Sequence, residues 1–201
     1  MARQYSTRVR NALLQAYEDT IGTAPALELR SGTQPASCAA ADSGTLLVPM
    51  TLPSDWQGTP SGGVALIAGT WQGLAEAAGT IGHYRIKGSG GTVDEQGKVT
   101  SAFGRATSAS TSSNSNVLTF VTTAGILVGQ PVSGTGIADG SLVTEVGATT
   151  VKLSLISTAG VTSGTTVYFG DTTGDMWLPT LTVGVNQVVV VSSRGFTAPG
   201  A

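Results

Sequence analysis

Apolar side chains recur at every fourth residue near the start of the chain, and this spacing predicts a helix. The positions are Val9, Leu13, Tyr17 and Ile21. Side chains at this spacing share one helical face, so the four residues are expected to form its apolar stripe. Ser6 or Thr7 can cap the first turn. Gly22 can adopt the left-handed conformation that ends a helix.

After this helix the apolar spacing changes to two, which predicts β-strands. The runs in the first half of the chain cover residues 26–30, 45–52, 64–71, 83–87 and 98–103. Pro49 and Pro53 indicate that the second run is an edge or bulged strand, because proline cannot donate a ladder hydrogen bond. The four valines at 188–191 predict a strand covered on both faces and therefore central to this sheet.

Residues 106–170 differ from the rest of the chain in composition and in the spacing of their alternating runs. Only Asp139, Glu145 and Lys152 carry charge there, and residues 107–116 are rich enough in Ser and Thr to be expected flexible. The module's five alternating runs cover residues 116–121, 130–133, 141–146, 150–155 and 165–169. We therefore expect residues 1–105 with 171–201 to form one domain, and residues 106–170 to form an inserted small β-barrel or sandwich.

Short strands at regular spacing with Gly, Ser and Asn between them are typical of all-β proteins, because a parallel α/β fold would need helical runs between its strands. The predicted fold is all-β, like a β-sandwich or jelly roll, with one N-terminal helix and the inserted module.

Composition limits which partners and which cellular compartment can be expected for this chain. A net charge of −2 and 11% charged residues provide no basic stripe for nucleic acid, so none is expected. Cys38 is the only cysteine, so an internal disulfide is excluded. Its side chain is expected to be small and buried. No run of 18 apolar residues and no leader-like segment occurs, so we expect no membrane contact and synthesis in the cytoplasm.

Candidate catalytic groups are few, and we expect no enzyme, metal or cofactor. His83 is the only histidine and lies in an alternating run, so a structural role is expected, and no Gly-x-Ser-x-Gly elbow accompanies it. Asp94, Glu95, Asp171 and Asp175 flank the insert and are the residues a calcium site or a glycosidase would use. Their spacing matches no calcium loop, and solvated turn residues are the expectation.

Three tryptophans differ in their surroundings. Trp71 and Trp177 lie in alternating runs and are expected in the core. Trp56 follows Pro53-Ser-Asp in a loop, where an exposed aromatic ring could anchor a partner.

The order of several short phrases resembles a family of small virion proteins of tailed bacteriophages, some of which are capsid cement or decoration proteins. The phrases, which lie in residues 1–105 and 171–201, are Ile21-Gly-Thr-Ala-Pro-Ala-Leu-Glu-Leu-Arg30, Cys38-Ala-Ala-Ala-Asp-Ser-Gly44, Leu52-Pro-Ser-Asp-Trp56, Gly69-Thr-Trp71, Gly79-Thr-Ile-Gly-His-Tyr-Arg-Ile86 and Gly174-Asp-Met-Trp-Leu178. Residues 106–170 resemble β-modules of phage head and tail surface proteins through Val132-Ser-Gly-Thr-Gly-Ile-Ala-Asp-Gly-Ser-Leu-Val-Thr144.

The resemblance implies a non-enzymatic protein on the capsid exterior that binds the major capsid protein, associates with itself as a dimer or trimer and stabilises the head, with residues 106–170 projecting outward. The expected capsid contacts are Arg3, Tyr5, Arg8, Arg10 and Trp56. Two alternatives stay open at this point: a tail or fibre adhesin for a host surface glycan, and an enzyme acting on cell-wall sugar.

Overall fold

The computed structural model describes residues 4–171, 174–191 and 194–198, and its fold is mostly β with one helix among these residues. The predicted all-β class with a single N-terminal helix is confirmed. The chain divides into two compact units, residues 1–99 with 180–201 and residues 100–179. These boundaries lie outside the insert limits that composition suggested, 106 and 170.

The helix α1 covers Thr7–Ile21. Ser6 is its N-cap, with the hydroxyl accepting a hydrogen bond from the Val9 N–H, and Gly22 ends it at φ 87°. The predicted stripe is partly confirmed: Ile21 is buried and Tyr17 packs against Trp56, whereas Leu13 is 43% exposed and Leu14 is buried instead. Spacing indicated the period of the stripe but not every residue of the buried face.

The first unit contains β1 (Ala26–Ser31), β2 (Leu46–Thr51), β3 (Val64–Leu66), β4 (Trp71–Leu74), β5 (Gly79–Lys87), the start of β6 (Val93–Ser101), β14 (Thr182–Val183), β15 (Val188–Val191) and β16 (Gly195–Thr197). Strands β6, β5, β1 and β2 pair in that order, and β14 pairs with β5. Strand β2, with Pro49, lies at the end of this order, as predicted, and the β1–β2 register shifts at Leu29/Arg30. Two antiparallel ribbons, β4–β15 and β3–β16, complete the unit.

The core of the first unit is rich in aromatic rings. Trp56 and Trp71 are fully buried, and Phe196 packs against both with centroid distances of 5.8 and 6.4 Å. Tyr17 joins them from the helix, 5.6 Å from Trp56. These rings hold the helix and the C-terminal ribbon on one apolar centre.

The second unit contains β7 (Phe103–Ala106), β8 (Val117–Thr119), β9 (Val132–Ser133), β10 (Val143–Val146), β11 (Thr150–Leu153), β12 (Thr166–Phe169) and β13 (Met176–Leu178). Two three-stranded sheets, β10-β11-β8 and β7-β12-β9, share one core. Phe169 lies at the centre of that core, with Phe103 stacked on it at 5.5 Å and Phe120 edge-on at 5.7 Å.

Residues 107–116, expected to be flexible, are tied into the second unit. Thr107 is buried and its hydroxyl donates to the Thr162 carbonyl at 2.9 Å. Thr111 exchanges backbone hydrogen bonds with Val161. Ser and Thr side chains that look like linker composition here bond to the backbone instead.

Candidate interaction surface

The β4–β15 ribbon exposes apolar side chains on one face. Val188 and Leu74 are directly opposite across the ribbon and are 57% and 55% exposed. Val190 is 40% exposed, whereas Val189 and Val191 are buried. The prediction that the valine strand is covered on both faces and central is therefore wrong: it pairs with β4 alone among the described strands, and its side chains alternate.

The backbone of β15 also has a free edge within the described part of the chain. The Ala75 N–H donates to the Gln187 carbonyl, which therefore points toward β4, while the Ala75 carbonyl accepts from the Asn186 N–H at this irregular end of the ribbon. Hydrogen-bonded pairs alternate along an antiparallel ribbon, which makes Val189 and Val191 the next bonded positions. Val188 and Val190 therefore direct their N–H and C=O groups away from β4.

The N-terminal residues expected to contact a capsid have different roles. Arg3 lies outside the described residues. Arg8 is exposed in the first turn of α1, and Tyr5 is half-buried ahead of it. Arg10 instead turns back and donates from Nη2 to the Gly63 carbonyl at 3.3 Å. Of the described arginines near the start, Arg8 is the one whose side chain projects into solvent.

The prediction of an exposed Trp56 is wrong. Its ring is fully buried, and its Nε1–H donates to the Gly22 carbonyl at 3.0 Å. The adjacent Gln57 is also buried and donates from Nε2 to the Leu14 carbonyl at 2.9 Å. A loop position suggested exposure, but this loop forms the surface against which α1 packs, so Trp56 is buried. Trp71 and Trp177 are buried, as predicted.

A buried charged cluster lies under the helix. The Arg194 guanidinium forms an ion pair with Glu95 and stacks on the rings of Tyr84 and Phe196, 4.7 and 4.6 Å from their centroids. The hydroxyls of Tyr17 and Tyr84 both donate to the Glu95 carboxylate. Sequence reasoning missed this cluster, and no local motif marks Arg194.

Electrostatics reinforce this cluster. Burial raises the pKa of Tyr17, and the charge of Glu95 raises it further, so its hydroxyl stays protonated as a donor. Burial alone would lower the pKa of Arg194, but the charges around it, Glu95 first, hold that pKa above its ordinary value. The ion pair and hydrogen bonds of this cluster therefore attach the C-terminal segment to the sheet.

A second polar cluster lies on the other face of β5. Arg85 is fully buried, pairs with Asp42 at 2.6 Å, and donates to the carbonyls of Cys38 and Ala40 at 2.8 and 3.0 Å. The hydrogen bond from Lys87 is the main cause that lowers the pKa of Asp42, against the opposing effect of burial. This cluster pins the loop after β1 to the sheet. Cys38 is only half-buried, so its side chain is less enclosed than expected.

His83 is held in the sheet. It is fully buried, and its Nδ1–H donates to the Gly32 carbonyl at 3.2 Å. Burial lowers the pKa of His83, and the charges of Arg30 and Arg85 lower it further, against the effect of the Gly32 hydrogen bond. An open depression of about 570 Å³ borders this region, lined in part by Gly32 and Gly82.

The carboxylates singled out in the sequence divide between the two units. Asp94 accepts a hydrogen bond from the Gly88 N–H at 3.1 Å, while Glu95 points into the aromatic cluster. Asp171 and Asp175 belong to the second unit, and each has an interaction there or elsewhere in the chain. Among the described residues, no group of three or more His, Cys, Asp or Glu side chains is placed to hold a metal ion.

The second unit exposes apolar side chains at a turn. Leu127 and Val128 are 63% and 62% exposed, between Ile126, which is buried, and Gly129, whose φ is 91°. The glycines at 134, 136 and 140 have positive φ and lie in turns or bends. No helix in the described part of the chain is both long and apolar enough to span a bilayer.

Comparison with known proteins gives no relative. No family model matches the chain, and no curated protein and no solved structure matches it either.

Proposed function

We propose that this chain is a structural virion protein, a capsid decoration or cement protein that binds the major capsid lattice and stabilises a phage head. The observation that carries the proposal is a contrast between interior and surface. The groups suited to catalysis, His83, Glu95 and Arg85, are each engaged in contacts inside the first unit, while apolar side chains are exposed on its β4–β15 ribbon. The ordered phrases that resemble phage virion proteins support the same role.

Arg8 is the described residue best placed for the shell contact. It projects from the first turn of α1, and no acidic residue lies in that turn. Such an exposed arginine can pair with a carboxylate on a capsid surface. A single exposed ion pair contributes only about 0–1 kcal/mol. Many copies on one lattice increase the total through effective concentration.

The test is binding of the purified chain to expanded heads of the phage that encodes it, measured by co-sedimentation, with heat resistance of the heads as a second reading. We expect saturable binding and heads that release DNA at a higher temperature. Arg8→Glu is expected to weaken binding, and an acidic residue in the first helical turn is compatible with the helix dipole. Lys152→Glu, an equal charge change on the second unit, is the matched control. Heads that neither bind the chain nor gain heat resistance would defeat the proposal.

The second candidate is a tail or fibre adhesin for a host surface glycan. The observation that favours it is the exposed pair Leu127 and Val128 on the second compact unit. Labelled chain that binds whole host cells, and loses binding on Leu127→Ser with Val128→Ser, would support this function over head decoration.

A further inference from the structure

The free edge of β15 lacks the features that usually prevent an edge strand from pairing with another chain. Edge strands of monomeric proteins are usually protected by charge, proline or a bulge that prevents pairing with another chain. Residues 188–191 are four valines, and the whole run 184–191 has no charged residue and no proline. Its partner strand, Trp71–Leu74, is also uncharged.

These features determine what kind of partner fits. A charged partner strand would gain no ion pair on this ribbon, whereas an identical uncharged strand meets it without like-charge repulsion. The two exposed valines carry the outward N–H and C=O groups, so an antiparallel copy of the same strand satisfies them in register. Strand addition of this type uses main-chain hydrogen bonds for affinity and alternate side chains for specificity.

We infer that two copies of this chain associate through β15, strand against strand, about a two-fold axis centred on Val189. Val188 of one copy pairs with the partner's Val190, and Val190 with the partner's Val188. The result is a continuous sheet in the order β4-β15-β15-β4. Such an isologous contact closes on itself and produces a dimer rather than a fibre.

The inference deepens the proposed decoration role, which calls for self-association, but its test does not depend on heads. Light scattering after size exclusion should give about twice the chain mass of 20.1 kDa. Val188→Lys places like charges beside the two-fold axis and should reduce the mass to that of a monomer. Val121→Lys, at a valine of the second unit that is 82% exposed, is the matched control and should remain dimeric.

Amide exchange of the unaltered chain provides a second reading that needs no variant. In a monomer the amides of Val188 and Val190 exchange fast, whereas those of Val189 and Val191 are protected by β4. In the dimer all four are protected, so Val188 and Val190 should gain protection as protein concentration rises. The inference is overturned if the unaltered chain is a monomer, if Val188→Lys leaves the mass unchanged, or if Val121→Lys dissociates. It is also overturned if amide exchange at Val188 does not depend on protein concentration. None of these outcomes affects the head-binding test.

Discussion

Arg194 and Glu95 form an ion pair that joins the C-terminal segment to β6 across 99 residues of sequence. The Arg194 side chain is only 7% exposed and the Glu95 side chain 22%. A charge this far from water is tolerated only when paired, because desolvation otherwise costs several kcal/mol. The pair therefore holds the chain's end in place and makes it sensitive to the loss of either partner.

Arg194→Met should destabilise the first unit by about 2–4 kcal/mol, because Glu95 loses its counter-charge while half-buried. Arg194→Lys keeps the charge but loses the planar stacking on Tyr84, so a smaller loss is expected. Urea unfolding measures both. Arg8→Met, at an exposed arginine, should change the free energy of unfolding by less than about 0.5 kcal/mol. Equal changes in the free energy of unfolding for Arg194→Met and Arg8→Met would contradict a stabilising buried ion pair at Arg194.

His83 should make the protein less stable in mild acid. Its pKa in the folded state is below the ordinary 6.5, so below that pH the unfolded chain binds a proton that the folded chain does not. Stability contributed by neutral His83 is present above the unfolded pKa and decreases as pH falls through it, by at most about 1.4 kcal/mol per pH unit.

The variant His83→Gln isolates this effect, because all other titrating groups stay in place. The stability difference between the unaltered chain and the variant should shrink from about pH 7.5 to about pH 5. Chemical unfolding at each pH measures it. A difference that stays constant across this range would show that His83 does not carry the acid sensitivity.

Gly82 is required for the close approach of β5 to the loop after β1. A Cβ at this position would overlap the carbonyl oxygen of Gly32, the acceptor for His83. Gly82→Ala should therefore cost about 1–3 kcal/mol through forced backbone shifts. A Cβ added at Gly90 would meet no atom within 4 Å, so Gly90→Ala should be within about 0.5 kcal/mol of the unaltered chain. Thermal unfolding of the two variants, compared side by side, tests the difference.

Phe169 should dominate the packing of the second unit. Its side chain is fully buried between Phe103 and Phe120, so Phe169→Ala leaves a large cavity and should cost about 3–5 kcal/mol. Val121→Ala, at a side chain that is 82% exposed, should cost less than about 0.5 kcal/mol. Near-UV circular dichroism and urea unfolding measure the loss, and similar costs for the two variants would contradict the shared core.

Local physics made much of the fold predictable. The limits of α1 followed from the Ser6 cap and the left-handed Gly22, both of which act within one helical turn. Alternating runs located strands β8 to β12 of the second unit, and Pro49 identified an edge strand, because period and proline chemistry are properties of short segments.

What the sequence determined by itself was therefore the class of each segment: one capped helix followed by many short strands. Only tertiary structure decided which side of each segment is covered, because burial depends on chain far away in sequence. Leu14 rather than Leu13 is buried, Trp56 is buried beneath the helix, and Val188 is exposed although four valines stand in a row. Arg194 meets Glu95 for the same reason: the fold, not the spacing, brings the two charges together.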